Sequence, residues 1–265
     1  MKYAFSTLGL PGSPLARSAA LASEHQYDGL EVRAHPEESL HAGSPSGDRA
    51  AGLRAVTAAG VRVLGVAGYA RVAAAGDDET VLAEVRGLVQ LAADLEAPFV
   101  RVFPGGGGLP PDRADANAVR RLRGAAPFAD RHGVRILLET HDSHRGAAAT
   151  ARVLHEVGHP AAGALWDVLH TWLEGETAPQ SRRHLGEHLG YVQVKDVASA
   201  HDLTPIGLGA GVLPLAEAVA AAPDEGWLCW EYERRWYPEA AELAGRLGEG
   251  REYLERLVAH EHRAE

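Results

Sequence analysis

The sequence predicts a single (β/α)8 barrel spanning residues 1–265, and three observations favour that fold. A chain of 265 residues that is 46% hydrophobic can bury one large core. Eight short apolar segments alternate with eight segments of helical character, and no change in composition marks a linker. Polar residues recur at the ends of apolar segments along most of the chain, as expected if the strands form a closed barrel. In a doubly wound sheet such polar strand ends would be concentrated near one switch point. Two smaller domains would also fit the length, but the unbroken alternation favours one barrel.

The predicted strands are short runs rich in apolar and β-branched residues, bounded by turn residues. A parallel strand that is buried on both faces is apolar almost throughout, as the run of residues 136–138 is. In chain order the predicted strands are Lys2–Ser6, Gly29–Arg33, Val61–Gly65, Phe99–Phe103, Val134–Glu139, Ala161–Asp167, Tyr191–Lys195 and Trp227–Glu231.

Amphipathic segments between these strands predict the helices. Ser13 is the expected N-cap of the first helix. Pro127 is expected to kink or divide the fourth, because proline lacks the amide hydrogen that a helix interior needs. The predicted helices cover about residues 14–25, 48–59, 77–95, 114–132, 145–157, 179–189, 213–221 and 239–257.

Composition excludes several function classes. A formal net charge of −10 without a long basic run argues against nucleic acid as a partner, because nucleic-acid binding needs clustered Lys and Arg. The single cysteine, Cys229, permits no internal disulfide and lies in a predicted core strand, which indicates packing. The N-terminus is too polar for a signal peptide, and no apolar run approaches the ~20 residues of a membrane span. We therefore expect a soluble cytoplasmic protein that acts on a small molecule, with its oligomeric state left open.

Four polar residues lie at or near the carboxyl ends of the last four predicted strands, where barrel active sites form: Glu139, Asp167, Gln193 and Glu231. Two carboxylates about 4 Å apart repel by roughly 4 kcal/mol at an effective dielectric of 20, so three cannot all stay ionised there without a cation. All four side chains offer oxygen, the donor that Mg²⁺ and Mn²⁺ prefer. We predict one such ion, with Co²⁺ as a substitute. Alternatively, Asp167 or Glu231 caps a turn or pairs with Arg101, and the Gln193 amide bonds to backbone.

Four motifs carry a resemblance to a known family: ILLETHDSH, ALWDVLH, YVQVKD and WLCWEYERRWYPE. They resemble the sugar phosphate isomerase/epimerase family of xylose isomerase-like barrels, over most of the chain and most strongly from Val134 onward. In that family a Glu, an Asp, a His and a Glu at the ends of strands five to eight bind one divalent metal. The resemblance therefore implies the same four positions here, with Gln193 in place of His. An amide oxygen can still bind a metal, so the resemblance implies an altered site of open metal identity.

The resemblance implies isomerisation or epimerisation of a sugar or cyclitol. Glu139 and Glu231 would flank one carbon, one of them removing its proton and either returning it, through an enediolate that the metal stabilises. His170, three residues after Asp167, matches the family's Asp-x-x-His arrangement, in which the His contacts substrate. His141 lies two residues after Glu139 and so on the same strand face, which also favours a substrate contact.

Two cations and two further acids are also candidates for the same site. Arg101 and Lys195 are expected to contact substrate hydroxyls, a carboxylate or a phosphate, with a structural ion pair as the alternative for each. Glu233 shares a strand face with Glu231, as an alternative ligand or an acid behind it, and Glu31 on the second strand is a further candidate for the mouth.

Three other functions stay open at this point. The first is a lyase on the same scaffold, such as a dehydratase or an enzyme that cleaves C-glycosides, because an enolate also permits β-elimination. The second is an endonuclease of the same barrel class, which would need further His ligands and a basic groove that the sequence does not offer. The third is a degenerate barrel that binds a sugar or a protein without catalysis, with Gln193 as the mark of a lost site.

Overall fold

A computed structural model describes residues 1–261 and confirms the barrel. Its ten strands are β1 (Lys2–Ser6), β2 (Gly29–Arg33), β3 (Arg62–Arg71), β4 (Phe99–Phe103), β5 (Arg135–Glu139), β6 (Ala162–Asp167), β7 (Leu189–Val194), β8 (Val197–Ser199), β9 (Asp202–Pro205) and β10 (Trp227–Trp230). Eight of them are parallel and close into a ring in the order β1, β2, β3, β4, β5, β6, β7, β10. Strands β8 and β9 form a separate antiparallel hairpin that follows β7.

Helices connect the barrel strands on the outside. They are α1 (Leu15–Glu24), α2 (Ser46–Ala58), α3 (Asp78–Asp94), α4 (Pro111–Arg131), α5 (Ala147–Val157), α6 (Val168–Leu173), α7 (Ala178–Leu185), α8 (Leu215–Ala221) and α9 (Leu247–Glu261). No helix within residues 1–261 is both long enough and apolar enough to cross a bilayer.

The barrel interior has two layers along its axis. The lower layer is apolar and takes one residue from each of six strands: Ala4, Leu64, Leu137, Leu165, Tyr191 and Cys229. Cys229 is buried in it, which confirms the predicted packing role. Because strand side chains alternate between faces, the residue two positions further along also faces the axis. On β5, β6, β7 and at the end of β10 that residue is polar, so a polar layer lies above the apolar one.

Strand β3 runs six residues beyond its predicted end at Gly65. Glycine usually weakens a strand, but Gly68 is required in this one because a side chain there would collide with Leu88 of α3. The extension carries the carbonyl of Gly68 and the ring of Tyr69 up to the polar end of the barrel.

Several helix boundaries differ from the prediction. The N-cap of α1 is Pro14, without a side-chain hydrogen bond, so the assignment of Ser13 was wrong. Helix α4 runs through Pro127 without being divided, because buried alanines on both sides of the proline pack it against the barrel. The last helix starts at Leu247 instead of residue 239, because the irregular segment after β10 continues to Glu242 and is followed by a 3-10 helix over Leu243–Arg246.

Candidate active site at the carboxyl ends of the strands

The four predicted metal ligands lie in the polar layer at one end of the barrel. Glu139 and Asp167 are the last residues of β5 and β6, Gln193 lies in β7, and Glu231 directly follows β10. All four are buried. Each follows a residue of the apolar layer by two positions, and Asp167 pairs in register with Gln193. The alternation that buries the apolar layer therefore also turns these four side chains toward the axis.

Lys195 lies among the acids of this layer. Its Nζ atom is 2.8 Å from Oδ2 of Asp167 and 2.6 Å from Oε1 of Glu233, and it also pairs with Oε2 of Glu231. Lys195 is buried, so these ion pairs are poorly screened by solvent. Asp167 and Glu231 thus converge on one cation, and that cation is an ammonium group.

Glu139 has a different partner. Its Oε2 atom lies 3.0 Å from Nε of Arg101 on β4, and both side chains are buried. Arg101 also donates to the carbonyl of Gly68 at 2.8 Å, and its guanidinium carbon lies 3.9 Å from the ring centre of Phe103. Arg101 and Lys195 therefore both form the ion pairs that the sequence left as an alternative to substrate contact.

Asp167 has a second role at the start of α6. Its Oδ1 atom accepts a hydrogen bond from the backbone of Leu169 at 2.8 Å, so it is the N-cap of that helix. One carboxylate oxygen fixes the helix while the other faces Lys195. The capping role that the sequence left open for Asp167 is therefore present together with its position in the polar layer.

Gln193 belongs to a buried network that crosses the barrel. Its Nε2 atom donates to Oε2 of Glu31 on β2 at 2.8 Å and to Oε1 of Glu231 at 3.3 Å. The hydroxyl of Tyr191 donates to the same oxygen of Glu31. Within residues 1–261, Oε1 of Gln193 is buried and has no hydrogen-bond partner.

The two predicted substrate histidines face each other at the rim. The ring centres of His141 and His170 are 4.1 Å apart in an edge-to-face arrangement, and Nε2 of His170 is 3.9 Å from Oδ2 of Asp167. One ligand atom each from Glu139, His141 and His170 lies within 4.8 Å of the others. Among the residues that the structure describes, this is the one set of three His, Cys, Asp or Glu donors grouped so closely. Two nitrogens and one oxygen suit zinc.

Burial shifts the pKa values of these groups. It raises the pKa of Glu139 to about 8 against the opposing charge of Arg101. Burial and the neighbouring Glu231 also raise the pKa of Glu31. Burial and the nearby His141 lower the pKa of His170 well below its usual value, so this imidazole is neutral at pH 7. Burial alone would lower the pKa of His141, but Asp142 and Glu139 outweigh it and raise that pKa.

A small cavity of about 50 Å³ opens onto this layer. It is lined by Leu8, Tyr69, Arg101, Phe103, Glu139, His141, Glu231, Glu233 and Trp236. Small-molecule sites usually measure about 300–1,000 Å³, so side chains at the mouth must move to admit a substrate. Two larger cavities, of about 630 and 710 Å³, lie beside the amino ends of the strands, away from every predicted site residue. The chemistry therefore favours the smaller cavity.

The residues of the polar layer fit a divalent cation. Five acids, Glu31, Glu139, Asp167, Glu231 and Glu233, lie in or beside this layer. Within residues 1–261, Arg101 and Lys195 are the permanently charged side chains that form ion pairs with them. The acids outnumber these cations, and burial raises the pKa of Glu31, Glu139 and Glu233, so protons offset part of the excess. The buried oxygen of Gln193 is an unused donor. A divalent cation could take the place of those protons and use that oxygen, and oxygen donors of this kind suit Mg²⁺ or Mn²⁺.

Asp196 has a role that the sequence did not suggest. Its carboxylate accepts four backbone hydrogen bonds of 2.9–3.2 Å, from the amides of residues 197, 209, 211 and 213. It therefore holds the segment after the β8–β9 hairpin against the end of β7. An acid directly after a strand-end lysine was visible in the sequence, but the four amides that it binds were not.

Comparisons with known proteins agree with this architecture. A family model described as xylose isomerase-like TIM barrel matches residues 19–257. A search of curated proteins gives no significant match.

Three solved structures superpose on nearly the whole chain. The first, described as the "probable 3-DHS dehydratase AsbF" of Bacillus anthracis, has 19% identity and a TM-score of 0.81 over 96% of this chain and 99% of its own. The IolI protein with a bound zinc atom has 16% identity and a TM-score of 0.80 over 98% of this chain and 99% of its own. A D-psicose 3-epimerase in the presence of D-fructose has 16% identity and a TM-score of 0.78 over 96% of this chain and 97% of its own. At this level of identity the likeness shows the fold.

Proposed function

Because the chain belongs to the xylose isomerase-like TIM barrel family, we propose that it is a divalent-metal-dependent isomerase or epimerase of a sugar or cyclitol. One observation carries the proposal: the carboxylates of Glu139 and Glu231 line the same cavity at the carboxyl ends of the strands. Two acids on separate strands are suited to approach one substrate carbon from different sides. The 3-epimerase and dehydratase among the similar structures are further support.

Glu139 is the candidate for the base that removes the proton. In the metal-free protein burial raises the pKa of Glu139 to about 8, and a cation beside the carboxylate would lower that pKa and favour the ionised form that accepts a proton. In its ionised form, Glu139 would take a proton from the carbon beside a carbonyl, which leaves an enediolate. If Glu231 carries a proton when the substrate binds, delivery of that proton to the opposite face would invert the carbon and leave Glu139 protonated and Glu231 ionised. Return of a proton to the neighbouring carbon would interconvert an aldose and a ketose.

Glu139, Asp167, Gln193 and Glu231 would hold the metal ion. When bound, the ion would supply positive charge beside the substrate oxygens on which negative charge develops. Because Lys195 pairs with Asp167 and Glu231, it would have to release them and keep Glu233 as its partner.

His141 and His170 would orient the substrate. His170 is neutral at pH 7, so one ring nitrogen can donate to a hydroxyl and the other can accept from one. Both rings lie at the rim beside Glu139, where sugar hydroxyls next to the reacting carbon would lie. Arg101, which pairs with Glu139, would hold that carboxylate in place during proton transfer.

A lyase is the second candidate, and His141 is the observation that favours it. β-Elimination needs a proton donor for the leaving oxygen, and His141 lines the same cavity as Glu139 and has a pKa raised by Asp142 and Glu139 against the effect of burial. If the substrate carries a leaving group on the carbon next to the enediolate, the same proton removal would lead to loss of water or of an aglycone.

Hydrogen exchange from heavy water tests this proposal. The protein, loaded in turn with Mn²⁺, Mg²⁺, Co²⁺ or Zn²⁺, would be incubated with ketoses, inososes and glycosides in D₂O, and deuterium at carbon would be measured by NMR. We expect exchange into at least one compound, and loss of exchange in Glu139→Gln. The matched control is Glu217→Gln on the exposed face of α8.

The products identify the reaction class. An isomer or epimer supports the first candidate, and released water or aglycone supports the lyase. Absence of carbon-bound deuterium from every compound with every metal would count against both and favour a binding protein.

A further inference from the structure

A buried polar contact connects opposite sides of the barrel. Glu31 lies on β2, and Tyr191 and Gln193 lie on β7, which is not a neighbour of β2 in the ring. The Oε2 atom of Glu31 accepts from the Tyr191 hydroxyl and, at 2.8 Å, from Nε2 of Gln193. All three residues are buried. Buried polar groups are costly unless they are paired, so this contact needs an explanation.

The contact fixes which end of the Gln193 amide faces the acids. Nε2 donates to Oε2 of Glu31 and, at 3.3 Å, to Oε1 of Glu231. Oε2 of Glu31 also accepts from the Tyr191 hydroxyl, which makes this oxygen an acceptor whether or not the other oxygen of the carboxyl holds a proton. A turned amide would place its oxygen against two carboxylate oxygens and lose both hydrogen bonds. The amide nitrogen is therefore held toward Glu31, and Oε1 is kept away from it. That oxygen is buried without a hydrogen-bond partner among residues 1–261.

We propose that Glu31 is a positioning residue that makes the oxygen of Gln193 available to the metal ion and thereby raises the affinity of the site for Mn²⁺ or Mg²⁺ relative to Zn²⁺. The inference rests on the proposed function and goes beyond it by naming the residue that sets the donor atom. Four oxygen donors favour hard cations, whereas a nitrogen donor at residue 193 would favour zinc. Tyr191 supports Glu31 from the second side and does not touch the amide.

Partners behind a metal ligand usually change metal affinity about 10- to 100-fold when they are removed. Glu31→Gln keeps the size of the side chain, but its amide can donate to the oxygen of Gln193 and so permits the Gln193 amide to turn. Manganese would then lose an oxygen donor. Zinc would lose less, because it can use the nitrogens of His141 and His170 beside Glu139.

The test compares affinities for Mn²⁺ and Zn²⁺ in the full chain after removal of metal by a chelator. Dissociation constants would be measured by calorimetry and competition, with the thermal midpoint as a check of folding. We expect Glu31→Gln to weaken Mn²⁺ binding by about 10- to 100-fold and to shift the Mn²⁺/Zn²⁺ preference toward zinc by about tenfold. Tyr191→Phe, which leaves the contact between Glu31 and Gln193 in place, should change the preference by less than about threefold.

A second variant tests the role of the residue-193 donor without changing Glu31, and it can be used if Glu31→Gln does not fold. Gln193→His introduces a nitrogen donor while retaining Glu31, and it should shift the preference toward zinc by about tenfold or more. In the Gln193→His background, Glu31→Gln should no longer shift the preference toward zinc, because residue 193 then offers a nitrogen donor with or without Glu31.

The outcomes separate this inference from the proposed function. Equal losses for both ions in Glu31→Gln, or an unchanged preference in Gln193→His, would overturn the positioning role while metal-dependent activity could stand. A wild-type protein that binds neither ion would overturn both.

Discussion

The Nζ atom of Lys195 lies 2.8 Å from Oδ2 of Asp167, so this buried carboxylate has an ammonium group as its neighbour. Asp167 ends β6 and Lys195 follows β7, two strands that are adjacent in the barrel. Because Glu231 and Glu233 share the same ammonium, one lysine offsets the repulsion among three acids. The barrel therefore supplies part of the positive charge that its mouth needs.

Replacing Lys195 tests how much this charge contributes. Lys195→Met should lower the free energy of unfolding of the metal-stripped protein at pH 7 by about 3–5 kcal/mol, because it leaves buried carboxylates unpaired. Saturating Mn²⁺ should restore more stability to this variant than it adds to the wild type, since the ion can then bind Asp167 and Glu231 without competition. Urea denaturation with and without Mn²⁺ measures both effects.

The control is the same change at the other lysine of the sequence, Lys2, which is exposed on β1. Lys2→Met should change stability by less than about 0.5 kcal/mol. If Lys195→Met were as stable as the wild type, or gained no more from Mn²⁺, the ammonium would not be an effective counter-ion.

Glu139 should give the metal-stripped protein a distinctive pH dependence. Its pKa is about 8 in the folded protein and near the ordinary 4.5 when unfolded, so between these values the folded state retains a proton that the unfolded state has released. Stability must therefore fall as the pH rises through this window, by up to about 1.4 kcal/mol per pH unit from this group. Glu139→Gln, which does not titrate, should lose that part of the slope.

The measurement is the free energy of unfolding from about pH 5 to about pH 8 for both proteins. Arg101 stays charged throughout that range, so the difference in slope between the two proteins reports the titration of Glu139 and not that of its partner. Parallel curves for the two proteins would mean that Glu139 is ionised in the folded protein across the window.

Trp236 should contribute to substrate binding more than to stability. It is 51% exposed, lines the cavity and lies 5.5 Å from the guanidinium of Arg33. Trp236→Ala should raise KM about 5- to 10-fold for the compound that exchanges deuterium, with little change in kcat, because it removes contact area and no reacting group.

Val212 supplies the control for this prediction, since it is 49% exposed and is not among the residues that line the cavity. Val212→Ala should leave KM unchanged. An effect on KM of the same size in both variants would show that exposed apolar surface in general, and not the cavity wall, is responsible.

The fold was predictable because burial imposes a pattern on the chain. Strands that are covered on both faces must be apolar, so an acid at the end of Ile136–Leu138 signals a change of environment at Glu139. Because side chains alternate along a strand, the residues that face the barrel axis can be identified once the strands are known. This is why the four polar residues at or near the strand ends lie in one layer, as expected.

The partners within that layer were not predictable. Tyr191 and Glu31 are 160 residues apart in sequence and meet inside the barrel. Nothing in the sequence around either residue indicates that it contacts the other. Lys195 could have faced a substrate or any of several acids, and only the geometry of the ring brings three of them within reach. The short hairpin of β8 and β9 was missed because its strands are partly exposed and lack an alternating apolar pattern.

The four amides gathered by Asp196 have a consequence for how such a barrel can diversify. A carboxylate that binds main-chain N–H groups makes few demands on side chains, but two of the four donors here are glycines. A side chain at Gly211 would collide with Asp196 itself, and Gly209 has a left-handed φ and lies against Tyr253. Both glycines are therefore required for the path of this stretch of the rim, and a new specificity could arise there by substitution at the positions between and beside them.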